Sequence, residues 1–272
     1  MSAPTNETLV LGNDTPWSQV HTLLGPAYAE TWLMVGVVMV FTVLIGGLLG
    51  ILLFNTSQRG LFPHRLTNLA IGWIANMGRS LPFLVLMAAV IPVTRVITGT
   101  TIGIPAAVVP MVLAGIPFFA RLVENALRDL PEDVSAVGLV SGGSTLQIIF
   151  TAQIHEALPS LVLAITLNVI SMIEYSAIAG TIGAGGIGYL AVVYGYQRFD
   201  NNIMISTIVV LVLTIQLVQY TCTRSRHTRR RYTTKSERNL EMNPLRPWLF
   251  SISRAVQQKR PRARHPHPPH AA

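Results

Sequence analysis

The sequence predicts an all-α integral membrane protein with five transmembrane helices. Three observations carry that prediction. Half of the 272 residues are hydrophobic, only 12% are charged, and mean hydropathy is positive, whereas a soluble domain of this size carries about twice that share of charge. Residues 31–58, 96–120, 175–197 and 203–223 contain no Asp, Glu, Lys or Arg. Each run reaches or approaches the roughly 20 residues a helix needs to cross the hydrocarbon layer, where backbone amides must find partners within the segment. The third observation is charge placement, which fits spans at about 31–54, 72–94, 101–121, 158–179 and 203–222.

The net charge of +8 is concentrated at one end. Thirteen of the 20 Lys and Arg lie in residues 224–264, with only Glu237 and Glu241 beside them, so this tail is +11 and the rest of the chain −3. If the N-terminus is outside, residues 55–71, 122–157 and the tail are cytoplasmic and hold Arg59, Arg65, Arg121, Arg128 and the tail's 13. The external segments then hold only Arg95 and Arg198, and Arg79 lies within the second span. The positive-inside rule therefore selects N-out, C-in. It also accounts for the basic tail by retention against anionic lipid more simply than by nucleic-acid binding. Residues 1–30 form an external segment without Lys or Arg, unlike the charged start of a cleavable signal peptide. The single cysteine, Cys222, allows no internal disulfide.

The longest internal loop, 122–157, carries helix signals. Pro131 suits the first turn of a helix over about 131–140. Gly142 and Gly143 break it, and Ser144 with Gln147 forms a capping-box pattern that restarts a helix through about Ile154. Two readings fit: a surface on which another protein docks, or an amphipathic hairpin lying on the membrane. A DNA-reading helix pair does not fit, because residues between Pro131 and Pro159 hold no Lys or Arg to meet phosphates. The tail from 223 to 272 reads as disordered, with Pro247-Trp248-Leu249-Phe250 as a potential interfacial anchor and His265, His267 and His270 as a loose metal-binding option.

Gly183, Gly185 and Gly188 match G-x-G-x-x-G, but that fingerprint requires a strand–helix unit. After a membrane span, the glycines fit close helix packing and a broken or re-entrant segment. The only lysines, Lys235 and Lys259, are not preceded by glycine, so the chain has no P-loop. Neither H-E-x-x-H nor a histidine within a span occurs, which argues against a membrane enzyme. Two charges do fall at membrane depth. Arg79 precedes Ser80-Leu81-Pro82, and Glu174 precedes Tyr175 and Ser176. Such charges are costly in lipid and face a partner or a watery path, although a glutamate near a helix end also reaches external water. Pro82, Pro92, Pro105, Pro110 and Pro117 are expected to kink or break helices in succession.

Arg79-Ser80-Leu81-Pro82-Phe83, Ile91-Pro92-Val93-Thr94-Arg95-Val96, Gly99-Thr100-Thr101-Ile102-Gly103, Val109-Pro110 and Pro117-Phe118-Phe119-Ala120-Arg121-Leu122-Val123-Glu124-Asn125-Ala126 occur in that order. Glu156-Ala157-Leu158-Pro159, Tyr175-Ser176, Gly183-Ala184-Gly185-Gly186-Ile187-Gly188 and Tyr194-Gly195-Tyr196 come after them. Together they resemble the methionine ABC importer permease family over about residues 30–222. The resemblance implies a type I ABC importer permease fold over 31–222, in a bacterial inner membrane, crossing it several times. It also implies a second permease copy as a homodimer partner, two ATP-binding cassette subunits on the cytoplasmic side, and an external substrate-binding lipoprotein. ATP and Mg would then be bound by partner subunits, and this chain would hold no cofactor, metal or catalytic residue.

In that family the cytoplasmic loop carries E-A-A-x3-G-x9-I-x-L-P and couples to the ATPase. Here Gly142, followed by Gly143, takes the glycine place. Ala136, Val137 and Gly138 stand where Glu-Ala-Ala is expected, Ala152 where Ile is expected, and Ile154 and His155 at the closing positions, His155 in place of Pro. The missing acid removes a polar contact and leaves shape and apolar contact for docking. Arg79, Ser80, Pro82, Glu174, Tyr175 and Ser176 are the candidate pathway-lining residues, with Glu174 where a small residue is expected. The mechanism implied is alternating access. Two other readings stay open: a permease for another small amino acid, peptide or organic ion, and a membrane scaffold acting through its basic tail.

Overall fold

The computed structural model describes residues 14–131 and 133–241, with residues 222–241 as backbone only. The expected anchor at Pro247 to Phe250 and the histidines His265, His267 and His270 lie outside the described residues. Those residues are helical, with no strand among them. Helix α1 runs Trp17–Asn55, α2 Arg65–Ser80, α3 Phe83–Thr98, α4 Ile104–Arg128 and α5 Asp133–Val140. Helix α6 runs Thr145–Gly180, α7 covers residues 186–197, and α8 runs Asn201–Glu241.

Four helical stretches are long and apolar enough to cross a membrane: α1, α4, α6 and residues 201–221 of α8. The second expected span, 72–94, is instead a broken pair. Helices α2 and α3 meet at 106° across Leu81 and Pro82, and they supply a fifth span only if counted together. Pro82 produces the break: it cannot donate to the preceding turn, and it holds Leu81 extended (φ −86°, ψ 129°). The other prolines do less than expected. Pro105 starts α4, while Pro92, Pro110 and Pro117 lie inside helices that continue past them.

The first helix begins 14 residues before the expected boundary, at Trp17 rather than 31, so residues 17–30 belong to the helical body. At about 1.5 Å per residue, α1 is close to 58 Å long and exceeds the hydrocarbon thickness. At the other end, the backbone helix of α8 continues to Glu241, beyond the expected boundary at 222. The chain divides at Thr223 into two units, and the helical bundle and its loop belong to the first.

Helix α4 is the centre of the bundle, half-buried along its length and in contact with α1, α2, α3 and α6. Lipid gives helices little hydrophobic reason to associate, so close backbone approach through small residues matters more. Gly46 and Gly50 provide it on α1. A Cβ on Gly46 would lie 2.8 Å from the Ile116 carbonyl oxygen, and one on Gly50 2.5 Å from that of Ala120. Met34, Val35 and Val38 of α1 pack with Met87 of α3, Met111 of α4 and Met172 and Ile173 of α6. A second cluster nearer the loop joins Phe54, Phe119, Val123, Leu127 and Ala157.

Three segments among the described residues are π-helical: Thr42–Gly46 in α1, Ile148–Gln153 in α6 and Leu190–Gln197 in α7. The first two each present a buried polar contact. The Asn168 amide of α6 donates to Thr42 Oγ1 at 3.1 Å, and Gln153 closes the second segment. A π segment inserts one extra residue into the helical turn and re-aims the next turns, frequently at functional sites.

Candidate functional site

The break between α2 and α3 places most of the expected membrane-depth residues. Arg79 and Ser80 end α2, and Pro82 caps α3. The Ser80 hydroxyl donates back to the Asn76 carbonyl at 2.8 Å. Gly78 brings the last turn of α2 onto α4, where an added Cβ would sit 2.7 Å from the Pro117 ring. Arg79 points over the Phe118 ring, its guanidinium carbon 5.8 Å from the centroid, a favourable cation–π geometry. Immediately after the break, Phe83 stacks on Tyr175 of α6, with centroids 4.3 Å apart and planes 11° from parallel. Glu174 immediately precedes Tyr175 on α6. Arg79, Ser80, Pro82 and Glu174 are exposed in the single chain. Ser176 is different: it is buried, and its hydroxyl donates to the Ile173 carbonyl at 2.7 Å. It packs within the chain's own interior, behind the other five.

The loop between α4 and α6 forms a second candidate surface. Helix α5 ends in a turn with Gly142 at φ 73°, a conformation that glycine adopts without a steric penalty. The expected capping box forms at Ser144: its hydroxyl accepts from the Gln147 N–H, and the Gln147 side chain accepts from the Ser144 N–H at 3.1 Å. The second short helix does not end near Ile154, however. It runs without a break into α6, Pro159 included. Gly138 seats α5 on α6, since a Cβ there would meet the Ile148 side chain at 2.9 Å. The loop is pinned to the bundle by an amide pair. Asn55 and Gln153, both fully buried, exchange two hydrogen bonds of 3.1 Å, and Gln153 also donates to Ser135 Oγ on α5. Of the expected coupling residues, Ala136, Val137, Gly142 and His155 are exposed, while Gly138, Gly143, Ala152 and Ile154 are partly buried. Val137, Leu139, Val140, Leu146 and Phe150 expose between 58% and 89% of their surface, a concentration of apolar side chains on one short segment.

Three polar arrangements had no signal strong enough to be singled out in the sequence. Glu124 on α4 is 2% exposed, and its two oxygens accept from Arg121 (2.6 Å) and Arg128. Arg121 also donates to the Gly72 carbonyl of α2 at 2.6 Å. The i−3 and i+4 spacing of the arginines was a readable hint, but burial was not. At the opposite end of the bundle from the loop, Glu30 accepts from the Gly186 N–H at 2.7 Å and Thr31 from the Ile187 N–H at 2.9 Å. Helix α1 thus satisfies the first orphan amides of α7. Gly185 and Gly186, at φ 87° and 77°, make that approach possible. Asp200 accepts from Thr15 at both its backbone N–H and hydroxyl and from the Ile203 N–H, latching the start of α1 to the start of α8. Burial by itself would raise the Asp200 pKa, but hydrogen bonds from Thr15, Ile203 and Asn202 outweigh it and hold the carboxyl below its ordinary value.

Among the described residues, no group of three or more His, Cys, Asp or Glu converges as a metal site. The G-x-G-x-x-G glycines serve packing. A Cβ on Gly188 would lie 2.3 Å from the Ala177 carbonyl oxygen, and one on Gly180 the same distance from the Tyr189 nitrogen.

Comparison with known proteins places these features together. The chain is 42% identical over 197 residues to a probable D-methionine transport system permease protein, MetI, of Vibrio cholerae, covering 72% of this chain and 88% of that protein. It is 38% identical over 168 residues to the methionine import system permease protein MetP of Bacillus subtilis, covering 62% and 76%. Its fold matches a chain of an inward-facing structure of the MetNI methionine ABC transporter with a TM-score of 0.74 at 36% identity, over 76% of this chain and 96% of that one. Residues 42–220 match the family described as binding-protein-dependent transport system inner membrane component, which covers the broken span, the loop and the Glu124 staple, and the chain belongs to that family.

Proposed function

We propose that this chain is the transmembrane permease subunit of an ATP-driven methionine importer, working as a homodimer whose two copies enclose the translocation pathway. The chain is not itself an ATPase; separate subunits hydrolyse ATP. The N-terminus lies outside and the basic C-terminal region lies in the cytoplasm, as the positive-inside rule requires. An external binding lipoprotein delivers the substrate.

The observation that carries this reading is the pinned, apolar loop. Two ATP-binding cassette subunits dock on α5 and the first turns of α6, where Val137, Leu139, Val140, Leu146 and Phe150 are exposed. Gln153 joins that surface to Asn55 at the end of α1 and Ser135 on α5. A push on the loop therefore reaches α1 and α6 through buried hydrogen bonds. The absence of the expected acid at Ala136 leaves docking to shape and apolar area. Arg79, Ser80, Pro82, Glu174 and Tyr175 face the pathway.

The test is uptake of labelled methionine into proteoliposomes holding the permease, its ATP-binding subunit and its binding protein. ATP-dependent accumulation supports the reading, while accumulation of a different solute only would reassign the substrate. A Val140→Asp variant separates docking from a membrane-lying loop. Docking predicts loss of co-purification with the ATP-binding subunit; a hairpin on the lipid predicts an intact complex.

A further inference from the structure

We infer that the cleft between the end of α1, the start of α2 and the end of α4 binds a phosphate group, carried by an anionic phospholipid headgroup or by a soluble phosphate compound. The inference goes beyond the permease reading and does not use its substrate. The cleft measures about 710 Å³, and Arg59, Arg65, Arg128 and His64 line it beside Thr56 and Asn68. No carboxylate is among the residues lining it. A second hollow of about 190 Å³ shares Arg59 and Arg128 with it and also lacks a carboxylate. The positive-inside rule accounts for arginines on one side of the membrane. It does not account for three of them, from a loop and two helices, converging on one cleft. A cleft lined by a single sign of charge concentrates ions of the opposite sign.

The walls are fixed by the chain itself. Residues 56–64 fold back on the end of α1: the Phe62 N–H donates to the Asn55 carbonyl at 3.1 Å and the His64 N–H to the Thr56 carbonyl at 3.0 Å. Gly60 permits this return, because a Cβ there would collide with the Asn55 carbonyl. The Asn68 amide ties α2 to α1 by donating to the Leu53 carbonyl at 2.7 Å and to Thr56 Oγ1 at 3.2 Å. Arg128 is steadied from below, where one of its nitrogens meets Glu124, and a guanidinium has five N–H donors in all. The His64 ring accepts from the Thr67 N–H through Nδ1 at 3.2 Å, which leaves the proton of a neutral ring on Nε2 as a further donor.

Planar guanidinium donors match phosphate oxygens in pairs. Both sources of phosphate have support in the surroundings. Basic pockets between membrane helices take lipid headgroups, and Leu66, Leu69 and Trp73 stand exposed on α2 beside the cleft, where acyl chains can pack. A soluble phosphate needs the arginines alone. Loss of one arginine contact should weaken either ligand about tenfold or more, the order of a charge-assisted hydrogen bond.

The experiment uses the full chain in detergent micelles with a trifluoromethyl label on Gln58→Cys. The sole native cysteine is removed by Cys222→Ser. Gln58 is exposed and lines both hollows, so fluorine NMR reads the cleft and not lipid held elsewhere. The probes are dioctanoyl phosphatidylglycerol, dioctanoyl phosphatidylcholine and inorganic phosphate at constant ionic strength. The expected result is a saturable shift with phosphatidylglycerol, with phosphate or with both, and at least tenfold weaker binding of phosphatidylcholine. Arg65→Gln should weaken binding about tenfold, and Arg59→Gln added to it should weaken binding further. Arg95→Gln removes an exposed charge from outside the cleft and should change nothing. Saturation by phosphatidylglycerol but not phosphate supports the site and assigns it to a headgroup, whereas saturation by phosphate at equal affinity assigns it to a soluble compound. The absence of a saturable shift with either would overturn the inference. So would an equal response to phosphatidylcholine, an unchanged response in the cleft variants, or an equal weakening by Arg95→Gln.

Discussion

Two sets of charges on the central part of this protein are treated in opposite ways. Near the loop, Glu124 is buried and both its oxygens are taken by Arg121 and Arg128. At the broken span, Arg79 and Glu174 are exposed and stand apart from any ion pair formed among the described residues. The first arrangement is a staple: Arg121 reaches on to the Gly72 carbonyl and ties α2 to α4. In the second, Arg79 meets its own chain at the Phe118 ring, over which its guanidinium lies. The difference teaches that charge in a membrane-embedded fold is classified by its partners, not by its depth in the sequence plot.

The contrast can be broken most directly at Glu124. Glu124→Ala removes the carboxylate that Arg121 and Arg128 share. Arg121 keeps the Gly72 carbonyl and Arg128 is half-exposed, so the loss lies at or below the low end of the range for breaking a buried pair, about 3–5 kcal/mol. Thermal unfolding in detergent should show a larger loss here than for any other single substitution below, and a stability equal to wild type would end the staple interpretation. Gly50→Ala comes next. Its Cβ would press on the Ala120 carbonyl at 2.5 Å, and overpacking of this kind costs about 1–3 kcal/mol. The same unfolding measurement checks it, with Gly25→Ala, which meets nothing within 4 Å, as the control.

Gln153→Ala leaves the buried Asn55 side-chain oxygen without its donor, although the Asn55 nitrogen keeps the Ile51 carbonyl, at about 1–2 kcal/mol. If Gln153 also transmits motion, ATPase activity in the assembled complex should lose its coupling to transport, seen as a lower ratio of methionine imported to ATP hydrolysed. At the exposed pair, Arg79→Gln and Glu174→Gln should each change stability by no more than about 0.5 kcal/mol. A large loss of stability would move the pair into the same class as Glu124.

The smallest effect concerns acid. The folded state favours ionised Asp200, so its contribution is fully present above the unfolded carboxylate pKa of about 3.9 and fades as pH falls through the lower folded value. Asp200→Asn should flatten the acid side of the stability profile, measured by unfolding between about pH 5 and pH 3, without shifting stability's dependence on pH above it.

Much of the architecture was readable because a membrane restricts what apolar segments can do. Uncharged runs marked α1, α4 and the first part of α8, the span read at 158–179 falls within α6, and the Ser144–Gln147 capping box marked the start of α6. Structure and sequence part company where a local signal has two physical outcomes. Five prolines looked alike in sequence. Only Pro82 broke a helix, while Pro110 and Pro117 lie in a helix that neighbours on several sides hold together. None of the three π segments had a local signature, because an extra residue in a turn is decided by what the helix packs against. Ser176 looked equivalent to its neighbours Glu174 and Tyr175 until helix rotation turned it inward.

Sequence alone determined that the protein is a helical membrane protein with a structured, uncharged-to-acidic loop and no ATPase motif of its own. These are properties of composition and of runs shorter than about 40 residues, which do not depend on what the chain folds against. Tertiary structure decided which charges are buried, which proline breaks a span, and that Asn55 pairs with Gln153 and Phe83 stacks on Tyr175. The last two depend on residues almost 100 positions apart being brought together, and pairings across that separation leave no periodic trace in the chain.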